Sequence, residues 1–437
     1  MQKERYSSFI VSFVFAILFF TPLQGQFNTY SPYTRFGLGD LAKRGFAQNL
    51  AMGGTGLAIH DGNRINYLNP ASYSALDSTS VYFDFGLNSF HNQYETTNFS
   101  NTWWNMNLHH VAFASSMGKY FGFSAGLVPY SSIGYNIKQE YNDFTHGLAM
   151  DTYYQGEGGI MNFYAGTSIK LLERFSLGLT MNYLMGKITR EREVDFPMNS
   201  AYSDVSSTEY LDLRKPVFTL GLQYREVFGD KFFLTLGAIY DFKASTKLSN
   251  QYLINNDFYS GYTENPIYIN DSLQIDPVYI LGADTALNTF HIPQKVGVGI
   301  SFGIPNKLTV TGDYYIQDWT GSMSGENYAT TKATSMHFGA EYTPNMKAIR
   351  GYHKLMSYRL GGYFSNSYLM VNGQQLEDYG ITFGVGLPVN TLRSSINVAF
   401  TLGTRGTTEY NLVKENYGII TFNVTLHDLW FRKRRFD

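Results

Sequence analysis

Gly122-Phe123-Ser124-Ala125-Gly126 has the G-x-S-x-G spacing of a nucleophile elbow, in which a serine attacks a carbonyl carbon with the help of an Asp and a His. That chemistry requires a sharp strand-to-helix turn. Here the pentapeptide lies inside an alternating stretch with Ser124 on its polar face, so no catalytic residue and no enzymatic activity are assigned. His109 and His110 are adjacent, and neighbours on a regular strand take opposite faces, which predicts no shared metal. The nine histidines form no H-E-x-x-H pair, and no glycine-rich phosphate loop is present. Zero Cys removes thiol catalysis and Cys-ligated metals. The expectation is a protein without metal or cofactor.

Five other polar residues interrupt strands that otherwise carry little charge: Asp84, Asp313, His337, Glu341 and Arg359. A charge facing lipid at mid-depth costs roughly 2–4 kcal/mol for Arg, so alternation predicts that all five point into a lumen. There they would form a polar path, a latch on a plug, or ion pairs filling a wide interior.

The elements that position them read with period two. Val81, Phe83, Phe85 and Leu87 alternate with Tyr82, Asp84 and Asn88, and Ile420, Phe422, Val424 and Leu426 with Thr421, Asn423 and Thr425. Segments of this kind recur near 80–90, 104–115, 119–131, 159–170, 174–190, 214–226, 231–245, 294–304, 307–319, 333–342, 356–365, 378–388, 394–404 and 417–428. Each is long enough to cross a bilayer as a tilted strand, which takes about 9–11 residues. The fold class is all-β: a transmembrane antiparallel β-barrel of about 14 strands with an N-terminal plug, or hatch, segment. A soluble sandwich would carry charge on its outer face, whereas only 16% of residues are charged and the excess is aromatic, with Tyr 35 and Phe 34. A net charge of −2 argues against a nucleic-acid partner. Short connections at 116–118, 171–174, 226–230, 304–306 and 388–391 alternate with long ones at 132–158, 191–213, 246–293 and 366–377. The connection 343–355 is long although parity places it on the short-turn side.

Trp103, Trp104, Tyr120, Tyr130, Tyr183, Trp319, Tyr363, Trp430 and Phe431 fall near segment ends, where interfacial aromatic belts are expected, and Arg432 to Arg435 form a basic tail. Lys3 and Arg5 precede the apolar run Phe9–Phe20, which is too short to span a bilayer and fits a secretory signal, with residues 1–25 removed. Residues 26–79 do not alternate and are rich in glycine, which suits a compact plug; residues 80–437 form the barrel. The expected location is the outer membrane of a Gram-negative bacterium.

Three stretches give the chain a resemblance to the FadL/TodX outer-membrane channels for hydrophobic compounds, in a Bacteroidota-like form. They are Met52-Gly53-Gly54-Thr55-Gly56 leading to Asn69-Pro70-Ala71, then His291-Ile292-Pro293 through Asp318-Trp319, and Gly339 to Tyr342 with Tyr358 to Tyr363. The resemblance implies a fourteen-strand barrel, an N-terminal hatch, a ligand pocket beside it and a lateral exit at an inward kink of the third strand. Carried onto this chain, it places the hatch site at Met52, Gly53, Gly54, Leu57, Asn69, Pro70 and Ala71, and the gap at Val128, Pro129 and Tyr130. Proline marks a bulge or an edge in a strand, or the strand's end at the rim. The expected activity is passive uptake of hydrophobic small molecules such as long-chain fatty acids. The alternative is a non-transporting FadL-like subunit of an outer-membrane assembly or secretion complex. An outer-membrane hydrolase is a minor third reading. Expected partners are outer-membrane lipids, a hydrophobic ligand, and other outer-membrane proteins through loop 246–293, which is Tyr-rich and lightly charged.

Overall fold

The computed structural model describes residues 29–430 apart from 98–99, 144–147, 197–204, 230, 248, 257–266, 270–271, 275–288, 326–327 and 390–393. The expected signal segment and the basic tail lie outside these residues.

The alternating segments form a closed 14-strand antiparallel barrel. In chain order its strands are β1 Ser80–Glu95, β2 Ser100–Met117, β3 Phe121–Asp143, β4 Leu148–Leu171, β5 Phe175–Asp195, β6 Val205–Phe228 and β7 Phe232–Asp241. The second half runs β8 Lys295–Ile304, β9 Leu308–Asp318, β10 Lys332–Tyr342, β11 Ser357–Val371, β12 Gln374–Pro388, β13 Ser395–Arg405 and β14 Lys414–Leu429. Closure is made by β1 and β14, from Ser80↔Leu429 to Glu95↔Lys414. No edge is left exposed there, as lipid requires. The two faces separate as period two dictates: Ile300 and Phe302 are half exposed on the outside, whereas Ser301, Thr311 and Thr382 are buried inside.

Three of the expected loops are strand instead. Residues 132–158 and 191–213 are largely hairpin, because β3, β4 and β6 run for 23, 24 and 24 residues. Such lengths exceed the hydrocarbon thickness, so the hairpins rise beyond it. Residues 366–377 contain a two-residue turn at Asn372-Gly373, with φ of +51° and +77°. Asn-Gly suits a primed hairpin turn because both residues tolerate positive φ. Part of 246–293 also pairs, with Ser249–Asn256 along the upper half of β6.

The aromatic belt needs correction too. Trp104, Tyr120 and Trp430 are exposed as expected. Trp319 is fully buried against Tyr368, and Tyr363 faces inward to Lys43. Trp103 stacks on Tyr30 of the N-terminal segment. Alternation sets the side a residue faces, and these three fall on the lumen side.

Before the barrel, residues 29–79 make 3-10 turns at Pro32–Arg35 and Pro70–Ala75, a two-residue strand Asp40–Leu41 and a single helical turn Ala47–Leu50. Ser31 and Asn69 cap the 3-10 turns by accepting the amides of Tyr33 and Ala71, each followed by proline. This segment lies inside the barrel.

Candidate functional site

The interior is organised around the N-terminal segment, which touches all fourteen strands. All five inward polar residues reach it, directly or through one partner, Asp84 by way of Thr425 and His110. Asp313 accepts the amides of Gly56 at 2.7 Å and Leu57 at 2.9 Å. His337 donates from Nδ1 to the carbonyl of Gly53 at 2.6 Å, and the Gly53 amide donates to Thr382 at 2.8 Å. Glu341 pairs with Arg64 of the segment at 2.9 Å and with Arg359 at 2.5 Å, and Arg359 also donates to Asn397. Buried charges are tolerated only when paired or hydrogen-bonded: Glu341 has two arginines, and Asp313 accepts from two amides and from the Tyr315 hydroxyl.

The expected hatch residues gather at one level. Asn69 donates to the carbonyl of Leu57 at 2.8 Å and to that of Leu222 at 3.2 Å. Gln223 donates to the Leu57 carbonyl as well, at 2.9 Å. Met52, Leu57 and Ala71 are fully buried. Their backbones lie flat on the wall because the wall is glycine there. A β-carbon at Gly178 would meet Pro70 at 2.3 Å, at Gly237 the Leu57 carbonyl at 2.0 Å, and at Gly339 the Met52 carbonyl at 2.4 Å. Gly361 and Gly384 do the same for Gly53 and Ala51. Glycine is the residue that permits such close backbone approach.

Sequence reasoning missed the cationic half of the site. Lys43 donates to Asp378 at 3.0 Å, Tyr363 at 2.9 Å and Tyr417 at 2.7 Å. Arg405 binds Asp40 at 2.6 Å and Glu415 at 2.5 Å, and Ser31 also donates to Glu415. The available signal was the run of inward charges on β11 to β14, read against Asp40, Lys43 and Arg64 in a segment otherwise nearly neutral.

Asp84 is buried and accepts from Thr425 at 2.7 Å, from Asn423 and from His110 Nε2 at 2.6 Å. His110 stacks on Phe46 with ring centres 3.7 Å apart. His109 and His110 do not take opposite faces as expected. The pairing of β1 with β2 skips from Gly86↔His110 to Leu87↔Leu108, leaving His109 as the extra residue of a β-bulge. Both rings turn inward, with Nδ1 atoms 2.7 Å apart. Ser124 stays in the β3 ladder, its hydroxyl donating to the Phe113 carbonyl at 3.0 Å.

The wall departs from regular pairing at Val128, Pro129 and Tyr130. Pairing of β2 with β3 stops at Val111↔Leu127, and the register of β3 on β4 shifts between Pro129 and Ser131. Strand β3 continues through Pro129, so the proline does not end it at the rim. Its freed edge is taken by the N-terminal segment: Asp40–Leu41 pairs with Ser131–Ser132, Ala42 donates to the Tyr130 carbonyl at 2.9 Å and Ser31 to that of Gly134 at 2.8 Å. Across the seam, Tyr30 stacks on Trp103 of β2 and donates to the Asn136 carbonyl of β3. Between segment and wall lies a cavity of about 300 Å³. It is lined by Val128, Pro129, Tyr130 and Trp319 and also by Lys43, Arg44, Asp241, Lys295, Asp378 and Arg405.

The BamG family model matches residues 7–437. The chain belongs to the BamG family. No curated protein gives a match. Among solved structures, this BamG-family chain is similar to a Pseudomonas aeruginosa FadL homologue, at 11% identity and a TM-score of 0.59 over 90% of this chain and 100% of the other. It is also similar to the Ralstonia pickettii toluene transporter TbuX, at 14% identity and a TM-score of 0.56 over 88% and 98%. The Pseudomonas putida toluene transporter TodX aligns at 15% identity and a TM-score of 0.53, over 90% and 100%. At these identities the likeness establishes the fold. The BamG-family chain is an outer-membrane β-barrel of a Gram-negative bacterium with FadL-type architecture.

Proposed function

We propose that this barrel is a plugged, non-transporting subunit of an outer-membrane protein assembly or secretion complex. The observation that carries the reading is the attachment of residues 30–79 to every strand through buried ion pairs, hydrogen bonds, ring stacking and glycine contacts. Moving this segment would orphan several buried charges together, each at a cost of about 3–5 kcal/mol. Seven charged side chains, Asp40, Lys43, Arg44, Asp241, Lys295, Asp378 and Arg405, line the cavity beside it. Membership of the BamG family is consistent with this reading.

A second reading keeps passive uptake of hydrophobic small molecules through a hatch-gated lumen. The seam at Val128–Tyr130 and the cavity behind it favour that one, as do solved relatives described as toluene transporters. In both readings residues 1–25 are a secretory signal, 26–79 a plug and 80–437 the barrel. The Bacteroidota-like placement and contacts through 246–293 belong to the same proposal.

Native mass spectrometry of the tagged barrel, drawn gently from its own outer membrane, separates the two. A stoichiometric complex with other outer-membrane proteins is expected. A lone barrel carrying a lipid-like mass would overturn the subunit reading and support the channel.

A further inference from the structure

We propose that the connection between β10 and β11 is a preformed docking finger for the acidic face of a periplasmic protein, an inference that rests on the subunit reading and names one contact it requires. Four turns on the same rim are minimal: Gly118 to Tyr120, Leu172 to Arg174, Gly229 to Lys231, and Pro305 to Lys307. Short turns mark the periplasmic side of such barrels. The exception runs from Thr343 to Met356.

The finger has a fixed shape. At its base the Asn345 amide donates to the Lys354 carbonyl at 2.8 Å. Inside it, Lys347 donates its amide to the Asn345 side chain, Lys354 to Gly351 and Leu355 to Tyr352, each at 2.9 Å. Gly351 takes φ +85° at the bend. The Tyr352 hydroxyl ties the finger sideways to the Pro388 carbonyl at 2.9 Å.

What this frame displays is apolar and cationic. Ile349 is 100% exposed, and Met346 and Tyr352 are 48% and 52% exposed. Beside them stand Lys347, Arg350 and Lys354, with no Asp or Glu between Thr343 and Ser357. None of the three cations has an ion pair among the described residues. Met, Tyr and Arg are enriched at protein interfaces, and an unopposed cluster of cations steers an acidic partner. Contact with anionic lipid headgroups would need the charge but not the tied frame. A fixed shape lowers the ordering cost of docking on another folded surface, which favours a protein.

The test places a photo-crosslinking amino acid at Ile349 in cells of the native organism, with and without the triple variant K347E/R350E/K354E. None of the three cationic groups holds the finger together, so the variant barrel should fold and keep its heat-modifiable migration. The expected result is a crosslink to a protein peptide rich in Asp and Glu, with its yield reduced roughly tenfold in the triple variant. A crosslink to phospholipid alone, no crosslink, or a protein crosslink indifferent to charge reversal would overturn the finger. An acidic-protein crosslink on a barrel that otherwise purifies alone would keep the finger and sink the stable-subunit reading. A stoichiometric complex unchanged by the triple variant would keep the subunit and sink the finger.

Discussion

Asp313 accepts the backbone amide of Leu57 at 2.9 Å and holds the adjacent Gly56 amide at 2.7 Å, pinning the N-terminal segment to β9. Asp313→Ala leaves both amides buried without an acceptor, at about 1–3 kcal/mol each. The variant should release the segment to protease at lower urea than the wild type and show ion-conducting steps in a planar bilayer. Unchanged proteolysis would mean that the other anchors suffice.

The glycine row makes a steric prediction. A β-carbon at Gly237 would stand 2.0 Å from the Leu57 carbonyl, so Gly237→Val should prevent the segment from seating while the wall still closes. Gly418 on β14 is the control, since its nearest neighbour would be 3.6 Å away. Gly418→Ala should behave as the wild type. Equal protease protection of residues 30–79 in both variants would count against the close-approach argument.

Tyr30 spans the seam, so Tyr30→Ala should loosen it locally. Loss of a ring stack and one hydrogen bond removes roughly 1–2 kcal/mol. Amide exchange at Ser131 to Asn136 should rise by about tenfold, while Phe121 to Leu127, still paired with β2, stays protected. Hydrogen-exchange mass spectrometry reads both segments at once. A rise spread over all of β3 would point to unfolding rather than an opened seam.

His60 offers a pH test from within the segment. It shares a 3.0 Å hydrogen bond with Gln223, and burial lowers its pKa to about 4, with Arg225 and Lys170 adding to the shift and Asp61 opposing it. The folded value lies below the ordinary value of about 6.5, so the neutral ring is the docked form. Its contribution is complete above about 6.5 and is lost as the pH falls towards 4. Segment protection should decline over that window, and His60→Gln should flatten that part of the profile. Parallel profiles would exclude His60 as the cause.

Much of this was legible from residue order. All fourteen strands follow from period-two alternation, because one face meets lipid and the other a polar lumen. The inward direction of Asp84, Asp313, His337, Glu341 and Arg359 follows from the same parity. Alternation fails where a single residue is inserted, which is why the His109 bulge was not readable and the two rings were assigned to opposite faces. It also cannot mark where a strand leaves the membrane, so the projecting hairpins of β3 to β6 looked like loops. The Asn372-Gly373 turn was available and was overlooked between two polar stretches. Partners such as Lys43 with Asp378, or Arg405 with Asp40, are set by closure of the cylinder, which no local pattern encodes.

Ser31 and Glu415 are neighbours in space, although 384 positions separate them along the chain. Contacts between residues so far apart form slowly, since the loop entropy is lost before they stabilise anything. Residues 30–79 come before the whole barrel in the chain, yet Glu415 and Arg405, which hold them, belong to its final two strands. The segment must therefore wait, largely unsatisfied and rich in exposed backbone, until the cylinder is complete or nearly so. Its docking is a natural end-point for maturation, and a protease-sensitive N-terminus would report barrels stalled one step short of it.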